Sequence, residues 1–96
     1  MAETVRSEVR VFARLMEERL KANDAKGGWK KCTLSYLANR LHQEFEDELL
    51  PALLDIDGLL PSSWLTVAKE AADVANFAMM IADRAYMSRG FVRGSS

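Results

Sequence analysis

The feature that most constrains the fold is a regular series of alanines in the last third of the chain. Their spacing alternates between three and four residues, as in a helical seam: Ala68, Ala71, Ala75, Ala78, Ala82 and Ala85. A second stripe with the same spacing runs beside the seam and consists of Val67, Glu70, Val74, Phe77 and Ile81. The two stripes predict a long helix that is capped by Ser62 or Ser63 and ends near Met87.

Two further helices are predicted upstream of this one. The first extends from about Thr4 to Ala22, because apolar residues recur on one helical face at Val5, Val9, Phe12 and Met16. The second runs from a cap at Thr33 to about Leu54. Pro51 lacks the N–H group that a helix interior uses, so we expect it to kink or end this helix. No alternating strand pattern of useful length is present, and the predicted fold class is therefore all-α.

The length limits how these helices can be arranged. A chain of 96 residues forms one small domain, to which we assign positions 1–93, with a disordered tail at 94–96. Three helices build only a thin core at this length. We therefore expect an antiparallel bundle of three main helices that self-association completes to a four-helix-type bundle, as a homodimer or homotetramer. In the alternative arrangement, the alanine seam packs only against the first helix of its own chain.

The overall charge excludes several classes of protein. Thirteen Lys and Arg against fourteen Asp and Glu give a net charge of −1, which argues against binding nucleic acid through bulk charge. No run of 18 apolar residues is present, and the charged residues Glu3, Arg6 and Glu8 stand where a signal peptide needs an apolar core. We therefore expect a cytoplasmic protein that does not contact membranes. Cys32 is the single cysteine, so no disulfide can form within the chain.

The near-neutral total conceals an acidic segment of the chain. Between Arg40 and Lys69 there are six acidic residues and no Lys or Arg. Glu44 has Asp47 and Glu48 about one helical turn away, and their like charges repel. The next helix repeats this pattern with Glu70 and Asp73, and Glu70 also lies on an apolar stripe.

A carboxylate on an apolar stripe must be paired, neutralised, hydrogen-bonded or bound to a metal ion. If the two acidic groups meet across a helix contact, they form an oxygen-rich cage that suits Mg²⁺ or Mn²⁺. The competing interpretation is a salt bridge from Glu70 to Arg14 or Arg40.

These residues also carry a family resemblance. The segment from Glu70 through Asp73 to Asp83 resembles the second metal-binding helix of the MazG-type all-α nucleoside triphosphate pyrophosphohydrolases. Positions 40–47 resemble the first such helix, and Gly27-Gly28-Trp29-Lys30 resembles the segment before it, so the resemblance covers 57 of the 96 residues. The family signature is E-x-x-E, a variable spacer and E-x-x-D, and here 22 residues separate Asp47 from Glu70. The chain departs from the signature at Asp47, where Glu48 is the alternative ligand.

The resemblance implies an enzyme of nucleotide-pool housekeeping. It would hydrolyse a nucleoside triphosphate, NTP or dNTP, to the monophosphate and pyrophosphate with Mg²⁺, for which Mn²⁺ is a potential substitute. The metal ligands would be Glu44, Asp47 or Glu48, Glu70 and Asp73, and either Glu44 or Glu48 would be the general base. The alternatives are a non-catalytic helical nucleotide-binding module and a purely structural oligomer whose carboxylates form salt bridges.

Five further residues are candidates for binding the substrate. Lys30, Lys31 and Arg84 are basic groups that could contact phosphate oxygens. Trp29 could stack on a base or, alternatively, seal its loop against the core. Asn76 could hydrogen-bond a sugar or base, or could be a helix-packing amide.

Overall fold

The fold is all-helical. The computed structural model describes residues 4–54 and 61–88, and no strand occurs within these ranges. Helix α1 spans Ser7–Ala22, α2 spans Leu34–Glu44, α3 spans Leu50–Leu54 and α4 spans Pro61–Ser88. A short 3₁₀ turn, Asp24–Lys26, follows α1, and a π-helical turn, Phe45–Leu49, joins α2 to α3. Three long helical segments thus pack into one globule, as the fold class predicted from the sequence requires.

Helix α1 begins three residues later than the sequence pattern indicates. Arg6 has extended backbone angles, and the Arg10 guanidinium donates a hydrogen bond of 2.7 Å to the Val5 carbonyl oxygen, which holds this segment outside the helix. At the other end, the Asn23 backbone N–H donates to the Leu20 carbonyl, and the Asn23 side chain donates to the Arg19 carbonyl at 2.9 Å. These bonds satisfy carbonyls that have no partner within the helix.

Helix α2 begins as predicted. The Thr33 hydroxyl oxygen accepts a hydrogen bond of 3.0 Å from the Tyr36 backbone N–H, which satisfies one of the donors that a helix N-terminus leaves free. Leu37 follows within the first turn and is 1% exposed. The cap therefore fixes the position at which α2 first contributes to the core.

The helix does not end at Pro51. The Leu50 N–H donates to the Phe45 carbonyl five residues earlier, which is the bond of a π turn. A proline ring clashes with the carbonyl four residues before it and has no N–H to offer that carbonyl. A wider turn directly before Pro51 relieves this clash, so the chain continues as α3 to Leu54. The expectation was that Pro51 would kink or end the helix, and the structure shows a local widening of the helix before it.

Helix α4 packs against α1, α2, the π turn and α3. Within the described residues it spans Pro61–Ser88 and so includes Pro61, which means that the sequence-based cap at Ser62 or Ser63 is too late. Proline is favoured in the first helical turn, where an N–H has no partner. The tail assigned to 94–96 lies outside the described residues.

The most buried line of α4 differs from both predicted stripes. It contains Ala72, Asn76 and Asp83, which are 0%, 4% and 6% exposed. Two of these residues are polar, so a pattern based on apolar residues does not reveal the line. Within the alanine seam, Ala78 and Ala82 are exposed in the single chain. In the parts of the chain that the structure describes, every helix falls short of the length and apolarity that a membrane span needs.

Candidate active-site cleft

A cleft of about 440 Å³ opens between α1, the segment that follows it, α2 and α4. This volume lies within the range of small-molecule sites. The floor follows α4, where Glu70, Asp73, Asn76 and Met80 line the cleft in order. At a rise of 1.5 Å per residue, these four positions extend over about 15 Å along the helix axis.

Three carboxylates meet at one end of the cleft. Glu44 comes from the end of α2, and Glu70 and Asp73 come from α4. Each offers an oxygen atom that lies within 4.8 Å of those of the other two, and all three residues are half-buried. The two acidic motifs of the sequence therefore do meet across a contact between helices, as the cage hypothesis requires.

The π turn determines whether Asp47 or Glu48 faces the cleft. Glu48 lines the same cleft as Glu44 and Glu70, whereas Asp47 lines only a neighbouring depression beside Pro51, which Glu48 and Glu70 also border. In a turn wider than an α-helical one, the fourth residue after Glu44 lies closer beneath it than the third does. Glu48 is exposed and lies outside the three-carboxylate cluster.

Two arginines balance part of this negative charge. Arg19 of α1 forms a bidentate pair with Asp73, in which Nε donates to Oδ1 and Nη2 to Oδ2, both at 2.9 Å. Arg40 lies 3.6 Å from Glu44 and also stacks over the Phe77 ring, with 5.0 Å from the guanidinium carbon to the ring centre. The sequence-based alternative paired Glu70 with Arg14 or Arg40, but the closest ion pairs join Arg19 to Asp73 and Arg40 to Glu44.

The cluster retains proton affinity despite these arginines. Burial raises the pKa of the Glu44 carboxyl above its ordinary value, and the charges of Asp73 and Glu48 add to this effect, while Arg40 opposes it. Burial likewise raises the pKa of Glu70, reinforced by Asp73, Glu48 and Glu44 and opposed by Arg19. The hydrogen bonds from Arg19 to Asp73 raise the pKa of Arg19. The site therefore attracts positive charge beyond what its arginines supply.

The other end of the cleft is formed by the loop after α1. Gly27, Gly28 and Trp29 line it, and Gly27 has a backbone φ of 89°, a left-handed conformation that side chains disfavour. The Trp29 indole Nε1 donates to Asp83 Oδ2 at 3.0 Å, which ties the loop to α4. Asp83 lies ten residues beyond Asp73, or about 15 Å along the helix axis.

The basic residues predicted to contact phosphate lie elsewhere. Lys30 pairs with Asp83 at 2.9 Å and covers the Trp29 ring, 5.0 Å from its centre. Arg84 donates to the Cys32 carbonyl oxygen at 3.2 Å and so fixes the segment before α2. Lys31 is exposed. None of these three described side chains lines the cleft, whereas Trp29 and Asn76 do.

The basic groups that do line the cleft are Arg19, Lys26 and Arg40. Arg19 and Lys26 were not predicted to belong to the site, and Arg40 was predicted only as a salt-bridge partner. One signal for Arg19 was present, because it continues the apolar stripe of α1 three residues after Met16. A base at the end of an apolar stripe faces the neighbouring helix, and here that helix carries Asp73.

Asn76 is the most deeply buried polar residue of the cleft wall. Its Nδ2 donates to the Met16 carbonyl oxygen of α1 at 3.0 Å, so the helix-packing role considered for it is present. Its Oδ1 is buried and accepts no hydrogen bond from any residue that the structure describes. Buried acceptors without a partner are uncommon, because each costs the free energy of removing it from water.

Comparison of the chain with protein-family models, with curated proteins and with solved structures finds no match.

Proposed function

We propose that this chain hydrolyses a nucleoside triphosphate, NTP or dNTP, to the monophosphate and pyrophosphate in a Mg²⁺-dependent reaction. The observation that supports this most strongly is the convergence of Glu44, Glu70 and Asp73 at one end of a cleft with a tryptophan-bearing loop at the other. The resemblance of the two acidic motifs to MazG-type pyrophosphohydrolases supports the same reaction. The role in the cell would be housekeeping of the nucleotide pool in the cytoplasm.

The donor set fits a hard divalent cation. Carboxylate oxygens are the ligands that Mg²⁺ and Mn²⁺ prefer, and three of them lie within 4.8 Å of one another. We assign Glu44, Glu70 and Asp73 as the metal ligands. Glu48 rather than Asp47 is the fourth carboxylate of the site and is not a metal ligand, because it lines the cleft but lies outside the three-carboxylate cluster. When bound, Mg²⁺ supplies the positive charge that brings an anionic triphosphate to an acidic site, and it acts as a Lewis acid.

The remaining chemistry belongs to the residues of the chain. A water molecule attacks the α-phosphorus, the bond from that phosphorus to the oxygen bridging the α- and β-phosphates breaks, and pyrophosphate leaves. Glu48 is our choice for the base that takes the proton of the water, because it lies on the cleft wall outside the three-carboxylate cluster. Arg19 and Lys26 are the cations positioned to contact phosphate oxygens, in place of Lys30, Lys31 and Arg84.

The direct test is an assay of product formation. The protein is incubated with each common NTP and dNTP plus Mg²⁺, and the monophosphate and pyrophosphate are measured. Turnover should require the metal, persist with Mn²⁺ and fall at least about 100-fold in Glu70→Gln and Asp73→Asn. The matched control is Glu46→Gln, which removes an exposed carboxylate of the π turn that lies outside the cleft. Release of diphosphate and phosphate, or equal activity in all four proteins, would contradict the proposal.

A second candidate function is a non-catalytic nucleotide-binding module. The observation that favours it is the bidentate pair, because Arg19 occupies both carboxylate oxygens of Asp73. Such a module would bind nucleotides without turnover in the same assay. Calorimetric titration with the same nucleotides separates it from the third possibility, a structural oligomer that binds neither nucleotide nor Mg²⁺.

We further propose that the chain self-associates as a homodimer or homotetramer, which completes a four-helix-type bundle. Within the described residues, the fully buried apolar core contains only Leu37 and Ala72. Large apolar side chains remain more than half exposed, among them Val9, Val11, Trp64 and Leu65. Light scattering coupled to size exclusion measures the mass directly, and a monomer at micromolar concentration would contradict this arrangement.

A further inference from the structure

We propose that Asn76 makes the cleft selective for nucleotides whose base carries an amino group at the purine 6-position or the pyrimidine 4-position, that is, adenine or cytosine. This inference rests on the proposed binding of a nucleotide in the same cleft. It starts from the buried oxygen Oδ1 of Asn76, which has no partner among the described residues although the side chain is only 4% exposed.

The hydrogen bond to Met16 fixes which atom of the amide is offered to a ligand. A free asparagine side chain can rotate by a half turn and present either a donor or an acceptor. Here Nδ2 donates to the Met16 carbonyl oxygen at 3.0 Å, and the reverse orientation would place two acceptors against each other. The side chain therefore presents an acceptor only, and the missing partner must be a donor.

The position of Asn76 along α4 matches a base rather than a phosphate. Asn76 lies three residues beyond Asp73, or about 4.5 Å further along the helix axis and away from Glu70. The cleft then continues past Met80 towards the loop that carries Trp29. A triphosphate at the carboxylates would direct its sugar and base along this path. Met80 is one helical turn from Asn76 and is unbranched, so it can move aside when a ligand approaches Oδ1.

The four bases differ in what they offer to a single acceptor. At the purine 6-position or the pyrimidine 4-position, adenine and cytosine carry an amino group, which is a donor. Guanine and thymine carry a carbonyl oxygen at the corresponding position, and that oxygen would face Oδ1 with lone pair against lone pair. A buried acceptor that stays unpaired, or that meets another acceptor, disfavours the oxo base by a factor of at least about ten.

Two pairs of nucleotides test this contact, because the members of each pair differ at this position by an amino or an oxo group, together with the hydrogen on the adjacent ring nitrogen of the oxo base. The pairs are dATP with dITP and dCTP with dUTP, and the two arms also distinguish adenine from cytosine. For each nucleotide, kcat/KM with Mg²⁺ and the dissociation constant by calorimetry are measured. We expect a preference of at least tenfold for the amino member in one or both pairs.

Variants assign the preference to its residue. In Asn76→Ala the amino/oxo ratio should fall to within about twofold of unity, while Asn39→Ala, which changes an exposed asparagine of α2, keeps the wild-type ratio. A ratio within one preparation does not depend on the fraction of folded protein. If Asn76→Ala does not fold, the wild-type ratios decide, and values under twofold in both pairs overturn the inference.

The failure of this inference is distinct from that of the proposed function. Turnover of all four nucleotides without an amino preference leaves the hydrolase intact and overturns the selectivity. Absence of turnover refutes the hydrolase, and the calorimetric affinities of the same four nucleotides then decide the selectivity. Equal affinities, or no binding of any of them, overturn it.

Discussion

Replacing Arg19 by glutamine tests the electrostatic account of the cleft. In the wild-type protein, the guanidinium donates two hydrogen bonds of 2.9 Å to Asp73, with side-chain exposures of 30% for Arg19 and 15% for Asp73. Exposed ion pairs contribute less than about 1 kcal/mol, and hydrogen bonds to charged groups that are partly removed from water contribute about 1.5–3 kcal/mol. The pair lies between these cases but is bidentate, so we expect Arg19→Gln to lower the free energy of unfolding by about 2 kcal/mol at pH 7 without divalent cations.

The same substitution should have the opposite effect on metal binding. Arg19 holds the carboxylate oxygens that a divalent cation needs, and it places a positive charge beside them. Removing that charge should strengthen binding of Mg²⁺ or Mn²⁺ roughly tenfold, the equivalent of ~1.4 kcal/mol. The variant should therefore be less stable than the wild type without metal and should gain more stability when metal is added.

Thermal unfolding with and without Mg²⁺ measures both the loss of stability without metal and the gain when metal is added. A concentration on the order of 10 mM saturates weak sites. A loss of 2 kcal/mol corresponds to a Tm lower by about 8–16 °C in a domain of this size. The matched control is Arg14→Gln, which removes an exposed arginine from the same helix and should change Tm little. Equal Tm values for the two variants would contradict this role of Arg19, and so would a stabilisation of Arg19→Gln by Mg²⁺ that is no greater than that of the wild type.

Three further predictions concern pH, helix capping and the loop. Because burial raises the pKa of Glu44 and Glu70, the folded state binds protons more tightly than the unfolded state. The free energy of unfolding should therefore fall as pH rises from about 4.3 through the raised pKa values. Urea unfolding from pH 4 to 7 without divalent cations measures this fall, and Glu70→Gln should reduce it. Thr33→Ala should lower the free energy of unfolding by about 1 kcal/mol, with no change if the hydroxyl does not cap α2. Asp83→Ala leaves the Trp29 and Lys30 donors without this acceptor and should lower the free energy of unfolding by about 2–4 kcal/mol. A smaller effect than that of Thr33→Ala would contradict the role of Asp83 in holding the loop on α4.

The sequence was sufficient for features that depend on local chemistry. The Thr33 cap, the helical segments and the absence of strands from the described residues follow from spacing and from capping residues. The meeting of Glu44 with Glu70 and Asp73 was also predictable, because each helix repeats an acidic pair that needs a partner. These features involve interactions within a turn or between two evident motifs.

The sequence was insufficient where a contact joins distant segments. Lys30 was expected at a phosphate, but it pairs with Asp83, 53 residues away, and the same carboxylate also binds Trp29. Arg19 was not assigned to the site, because its partner is 54 residues away. A charged side chain takes the nearest opposite charge in three dimensions, and a one-dimensional pattern does not give that distance.

The π turn before Pro51 has a consequence for how such sites change over time. It holds one more residue than an α-helical turn needs. The number of residues between Glu44 and the next carboxylate that lines the cleft can therefore change by one. Deleting one residue from this turn would restore the narrower helix and rotate everything up to Leu54 by about 100° relative to α2. Two proteins could therefore share the same arrangement of carboxylates in space while their acidic motifs differ in spacing by one residue. A motif defined by fixed spacing would then match only one of them.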